Sequence, residues 1–132
     1  MIAGVSFWRF YFRLYNGTIR SAQIVEFLKA LQATIGRKLL IVWDRLHAHR
    51  SKLVRAHVDS QRGALALEFL PAYAPELNPV ECIWGYLKQH AMPNFCARDL
   101  GHLARRARRH LRSMQRRSTL VCATLHECRQ CR

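Results

Sequence analysis

Apolar and polar positions fall into two rhythms along this chain, one of period two and one of helical period. Ile2 to Phe7 and Arg9 to Tyr15 are dense in aromatic and β-branched residues. The second run alternates before the turn pair Asn16-Gly17, which predicts two adjacent strands. Ile24, Phe27, Leu28, Leu31 and Ile35 then recur at helical spacing, with Ser21 offering an N-cap and Gly36 standing where a C′ glycine belongs. Leu39 to Trp43 is apolar at every position, the pattern of a strand covered on both faces, and it ends on Asp44. A second helix follows from a Ser51 cap, with Leu53, Val54, His57 and Val58 on its inner face and Gly63 at its end. Ala64 to Leu70 reads as the next strand. The order β-β-α-β-α-β predicts an α/β layered domain.

Pro71, Pro75 and Pro79 then break regular structure, and Asn78-Pro79 opens a helix that runs past Trp84 and Leu87 to Pro93. A last helix presents Leu100, Leu103, Ala104, Ala107, Leu111 and Met114 on one face. Its other face carries Arg98, Arg105, Arg106, Arg108, Arg109, Arg112, Arg116 and Arg117. From Ser118 the periodicity fades. The expected organisation is one domain over residues 1–117 and a poorly structured basic tail over 118–132.

Charge sharpens this picture. Lys and Arg total 22 against eight Asp and Glu, a net charge of +14, and such a field attracts polyanions, nucleic acid foremost. Eight arginines beside the single acid Asp99 cannot be balanced by ion pairs, so the last helix is expected to touch phosphates rather than read bases, with a solvated charged face as the plainer alternative. No apolar run approaches the ~20 residues of a membrane span, and no signal-peptide pattern opens the sequence, so a cytoplasmic location is expected. The five cysteines are odd in number and three crowd into the last eleven residues, the mark of reduced thiols rather than a disulfide framework. His126-x-Cys128-x-x-Cys131, with Cys122 before it, has zinc-ligand residue types but no partner knuckle.

Scarce acids at element ends are candidates for metal chemistry. Asp44 leaves the end of a strand, where open α/β sheets hold their ligands, with His47 and His49 close behind. Glu81 lies 37 residues beyond it, on the first turn of a helix. Each has a plainer reading: Asp44 as a polar residue opening a loop, Glu81 as the reciprocal partner of Asn78 in a capping box.

Ile41-Val42-Trp43-Asp44 with His49-Arg50-Ser51, followed by the unbroken run from Phe69 through Leu77-Asn78-Pro79-Val80-Glu81 and Trp84 to Lys88, closely resembles the catalytic domain of bacterial insertion-sequence transposases of the Tc1/mariner type. The resemblance implies a ribonuclease H-like mixed sheet flanked by helices, and a DDE active site whose three carboxylates hold two divalent metals. On that resemblance Asp44 corresponds to the second carboxylate and Glu81 to the third, both catalytic and metal-binding, and His49 to the loop histidine. Arg45 stands where the family has Asn or Gly. The family's first Asp has no counterpart, because the only acid before Asp44 is Glu26, on the amphipathic helix. The sheet is therefore expected to lack its first strand.

Two-metal cleavage of a phosphodiester requires one ion to activate the attacking oxygen and one to stabilise the leaving oxygen, set ~4 Å apart by carboxylates. Asp44 and Glu81 alone would not assemble the pair. The expected protein is thus the C-terminal part of a transposase catalytic domain, inactive alone and completed, with Mg²⁺ or Mn²⁺, by an N-terminal fragment. Its partners would be DNA at the insertion-sequence ends and target, and a second copy of itself. His49, Arg50, Lys88, Arg105, Arg106, Arg108, Arg109 and Arg112 would contact the nucleic acid. A basic DNA- or RNA-binding protein that keeps the fold without cleavage is the alternative.

Overall fold

The computed structural model of the protein describes residues 1–6, 9–72, 74–91 and 96–130. The strands are β1 (Ile2–Ser6), β2 (Arg9–Arg13), β3 (Leu39–Trp43) and β4 (Leu65–Phe69). The helices are α1 (Ser21–Ile35), α2 (Lys52–Ser60), α3 (Pro79–Tyr86), α4 (Leu100–Arg116) and α5 (Ser118–Gln130). They make up two units, one of Met1–Ile2 with Tyr15–Asn78, the other of Ala3–Leu14 with Pro79–Arg132.

In the first unit β3 and β4 pair in parallel, Leu39 opposite Leu65 through Trp43 opposite Phe69. Because strand side chains alternate, the odd-numbered set faces one way. Leu39, Ile41, Trp43, Leu65 and Leu67 pack with Ile24 and Leu28 of α1 and Val54 of α2 into the core of this unit. Both helices therefore cover the same face of the sheet. The opposite face, Leu40, Val42, Ala66 and Glu68, is exposed, Leu40 at 63% and Val42 at 55%. Here the structure departs from the buried central strand expected of Leu39–Trp43. An all-apolar run does not reveal that only one of its faces is covered within its own unit, nor that, among the described residues, β3 pairs on one edge alone.

The helix ends follow from local chemistry. Arg20, not Ser21, is the N-cap of α1, and its N–H donates to Gln23 Oε1 at 3.0 Å. Gly36 closes α1 in the left-handed region at φ +66°, donating its N–H to Gln32 O at 2.9 Å. Ser51 caps α2 by accepting from Val54 N at 3.3 Å. Val54 is fully buried, whereas Leu53, expected on the inner face, is exposed. Gly63, at φ +84°, lies in the turn that leads back into β4.

The second unit is built on β1 and β2, which form their own two-stranded sheet, and on α3, α4 and α5. Phe10, Ile83, Leu87, Leu111, Met114 and Val121 are its buried apolar side chains. Gln115 Nε2 donates to Phe10 O at 2.9 Å, fastening α4 to β2. After Tyr86 the helix loosens into a π-helical turn, Leu87–Ala91, in which His90 stacks on Tyr86 at 4.4 Å between ring centroids.

The chain from Ser118 differs from the loosely held tail expected of it. It is helical to Gln130, with Val121 at 0% and Thr124 at 6% exposure, and Thr124 Oγ1 donates to Leu120 O at 2.9 Å. Packing against α3 and α4 supplies what weak periodicity does not, since tertiary burial stabilises a short helix more than its own propensity. Cys82 is disulfide-bonded, which corrects the expectation of reduced thiols at that position, while Cys96 and Cys122 are free. Among the described residues, no helix is long and apolar enough to cross a membrane.

Candidate active site

The end of β3 sets the geometry of the first unit's polar cluster. Leu70 N donates to Trp43 O at 2.8 Å, extending the parallel ladder to its last residue. Asp44 follows immediately, so its carboxylate emerges at the carboxyl end of the strand. Its Oδ1 accepts from Leu46 N at 3.2 Å, the Asx-type contact by which an aspartate turns the chain out of a strand. Leu46 to Arg50 then coil into one turn, with His49 N donating to Leu46 O at 3.0 Å and Arg50 N to His47 O at 3.2 Å.

That turn carries His49 back onto the strand end. Its Nδ1 lies 2.7 Å from Asp44 Oδ1 and 3.3 Å from Asp44 O. The ring lies parallel to the Trp43 indole, 4.3 Å between centroids and 3° between planes. His49 is 16% exposed and Asp44 43%, so the pair sits half-open to solvent. Arg45, adjacent in sequence, turns aside and donates from Nε to Leu70 O at 3.3 Å. The part of Trp43 as a platform is missing from the sequence reading, although an aromatic before the strand-end acid and a histidine five residues on is its visible signal.

Glu81 is the third residue of α3, on an exposed first turn that begins at Pro79 as expected. Asp44 belongs to the first unit and Glu81 to the second. Arg50 and Lys88 are exposed, and so are Arg105, Arg106, Arg108, Arg109 and Arg112 along α4. His47 takes part in the turn through its backbone carbonyl.

A family model of the DDE superfamily endonucleases matches residues 8–104, well over half of the chain. The chain belongs to that family. No curated protein and no solved structure matches it. The matched span of this DDE superfamily endonuclease takes in Asp44, His49, Glu81 and Lys88 and stops just short of Arg105.

DDE endonuclease domains generally use divalent metals, and that sets a demand on donors. Both hydrogen bonds of the Asp44 carboxylate fall on Oδ1, which leaves Oδ2 with no partner among the described residues. One such oxygen suits a hard cation, but Mg²⁺ requires near-octahedral oxygen coordination. Among the described residues no three His, Cys, Asp or Glu side chains come together as metal ligands. That donor set falls short of a two-ion site. The His126–Cys131 pattern lies largely outside the described side chains.

One further histidine is perturbed. His57 on α2 has a buried Nε2 with no hydrogen-bond partner among the described residues, and desolvation, reinforced by the charge of Lys29, lowers its pKa below the usual histidine value.

Proposed function

We propose that this DDE superfamily endonuclease supplies two of the three carboxylates of a Tc1/mariner-type transposase site, Asp44 as the second and Glu81 as the third. The observation that carries the reading is the Trp43–Asp44–His49 cluster at the carboxyl end of β3, inside a family match that also spans Glu81. His49 here is a positioning residue: its Nδ1 and the turn amide of Leu46 hold Oδ1 and so direct Oδ2 outward. The substrate is DNA, cut and joined at insertion-sequence ends with Mg²⁺ or Mn²⁺.

Within this sequence Glu26 is the only acid before Asp44, and it lies on the exposed side of α1. On this reading Glu26 is not the first carboxylate, and cleavage requires that a third carboxylate be supplied. Supercoiled plasmid with Mg²⁺ or Mn²⁺ tests this directly. The chain alone should not nick. The chain completed by a segment that supplies a strand-end aspartate should nick, and Asp44→Ala or Glu81→Ala should abolish it. Nicking by the completed protein that survives both substitutions would remove the assignment.

A second reading, a non-catalytic basic protein that binds DNA or RNA, draws on the absence of a three-ligand cluster among the described residues and on the exposed arginines of α4. Retention of nucleic acid with no cleavage by the completed protein would favour it.

A further inference from the structure

The arginines of α4 do not share one direction. At 100° per residue, Arg105, Arg109, Arg112 and Arg116 fall within an arc of about 60°, with Arg108 on its flank and Arg106 well outside it. The spacing of four, three and four residues makes a straight row about 16 Å long. All four are exposed, while Leu111 and Met114, on the roughly opposite side, are buried in the second unit. The acid nearest in sequence, Asp99, is committed elsewhere: its Oδ1 accepts from His102 N at 2.7 Å as the N-cap of α4. No ion pair engages these four guanidinium groups among the described residues.

We infer that Arg105, Arg109, Arg112 and Arg116 form a phosphate-backbone rail for duplex DNA. The inference deepens the nucleic-acid part of the proposed function and adds a site that the family match, ending at residue 104, does not reach. Four like charges in a line repel one another unless a polyanion of matching pitch offsets them. A row of ~16 Å spans about five base-pair steps at ~3.4 Å each. Guanidinium forks grip phosphate oxygens in bidentate fashion and carry no sequence information in doing so. A bilayer suits the helix less well. The apolar side that would enter lipid is occupied at Leu111 and Met114 by the protein's own core.

The test uses the full chain, without metal, so that its outcome is independent of cleavage. Anisotropy of a labelled 20-base-pair DNA duplex of arbitrary sequence is followed across a salt series. Replacing Arg105, Arg109, Arg112 and Arg116 together by Gln should lower the salt slope by about 0.9 per phosphate contact, or 3 to 4 in all. A charge-matched control, Arg37, Lys38, Lys52 and Arg55 to Gln, also exposed, should leave the slope unchanged. Should the fourfold variant lose its helical circular dichroism, Arg109→Gln with Arg112→Gln should still remove about half of that slope change. Equal slope loss in stripe and control variants, or none in either, overturns the rail. So does a stripe dependence seen only with duplex RNA or with phosphatidylserine vesicles run in parallel.

Discussion

His49 lies flat on Trp43, 4.3 Å between ring centroids, while its Nδ1 reaches Asp44 Oδ1 at 2.7 Å. A single turn of chain, closed by Leu46 and His47 carbonyls, brings the three together at the end of β3. The stack fixes where the imidazole is, and the imidazole in turn fixes the carboxylate.

The two contacts can be separated by mutation. His49→Phe keeps an aromatic on Trp43 and loses the bond to Asp44; His49→Ala loses both. Aromatic pairs contribute about 0.5–1.5 kcal/mol and a half-exposed ion pair about 0–1 kcal/mol. The expected order of urea midpoints is wild type, then His49→Phe, then His49→Ala. A cycle of His49→Ala with Asp44→Asn should show coupling above the ~0.3–0.5 kcal/mol scatter of independent sites. Strict additivity would mean that the 2.7 Å contact contributes nothing to stability.

His57 predicts a pH dependence of a particular sign. Burial, with Lys29 nearby, lowers its pKa in the folded state, so the unfolded chain binds the proton more readily. The stability it contributes is complete above the unfolded value of about 6.5 and is lost as pH falls from there through the folded value. Unfolding midpoints measured from pH 8 to pH 5 should therefore fall in the wild type. His57→Leu should show a shallower decline over the same range. A parallel decline in the two proteins would assign the whole effect to other groups.

How much of this was legible in advance depends on the range of the interactions. The strand-end position of Asp44, the Gly36 helix stop, the Ser51 cap and the Pro79 helix start all follow from residues within a turn or two of one another. The Trp43–His49 stack was not visible, because it depends on how tightly the Leu46–Arg50 turn closes. The exposed side of β3 and the helical Ser118–Gln130 segment are settled by which elements pack against them, and an all-apolar pentapeptide or a weakly periodic tail carries no record of that.

Gly36 offers a clean measure of backbone cost. It holds φ at +66°, and a Cβ built there would meet nothing within 4 Å, so substitution is not opposed by collision. Gly36→Ala should still destabilise the chain by about 1 kcal/mol, because L-residues disfavour the left-handed region by roughly 1–2 kcal/mol. Gly36→Asn should recover part of that loss, since asparagine tolerates the conformation better. Equal midpoints for the Ala and Asn variants would point to unfolded-state entropy instead.

The last prediction concerns the uncovered side of β3. Parallel strands are ordinarily sheltered on both faces, and a lone pair of strands is at best marginally stable. Yet among the described residues β3 pairs with β4 alone, Leu40 and Val42 are exposed at 63% and 55%, and Leu39–Trp43 carries no proline or charge to blunt the free edge. Backbone groups along such an edge cost ~1–3 kcal/mol each when buried unpaired, against a whole-domain stability of ~5–15 kcal/mol, so they must stay wet or find a partner strand. Self-association at micromolar concentration is the expected outcome, read by sedimentation velocity. Val42→Lys should reduce it and leave the unfolding midpoint within ~0.5 kcal/mol of wild type, as surface changes do. Ile41→Lys, one residue away on the side packed against Ile24, Leu28 and Val54, should instead unfold the first unit, since a buried unpaired charge is not tolerated. A wild type that stays monomeric at high concentration, or a Val42→Lys protein as unstable as Ile41→Lys, would show that the face is covered in solution and that β3 is sheltered on both sides after all.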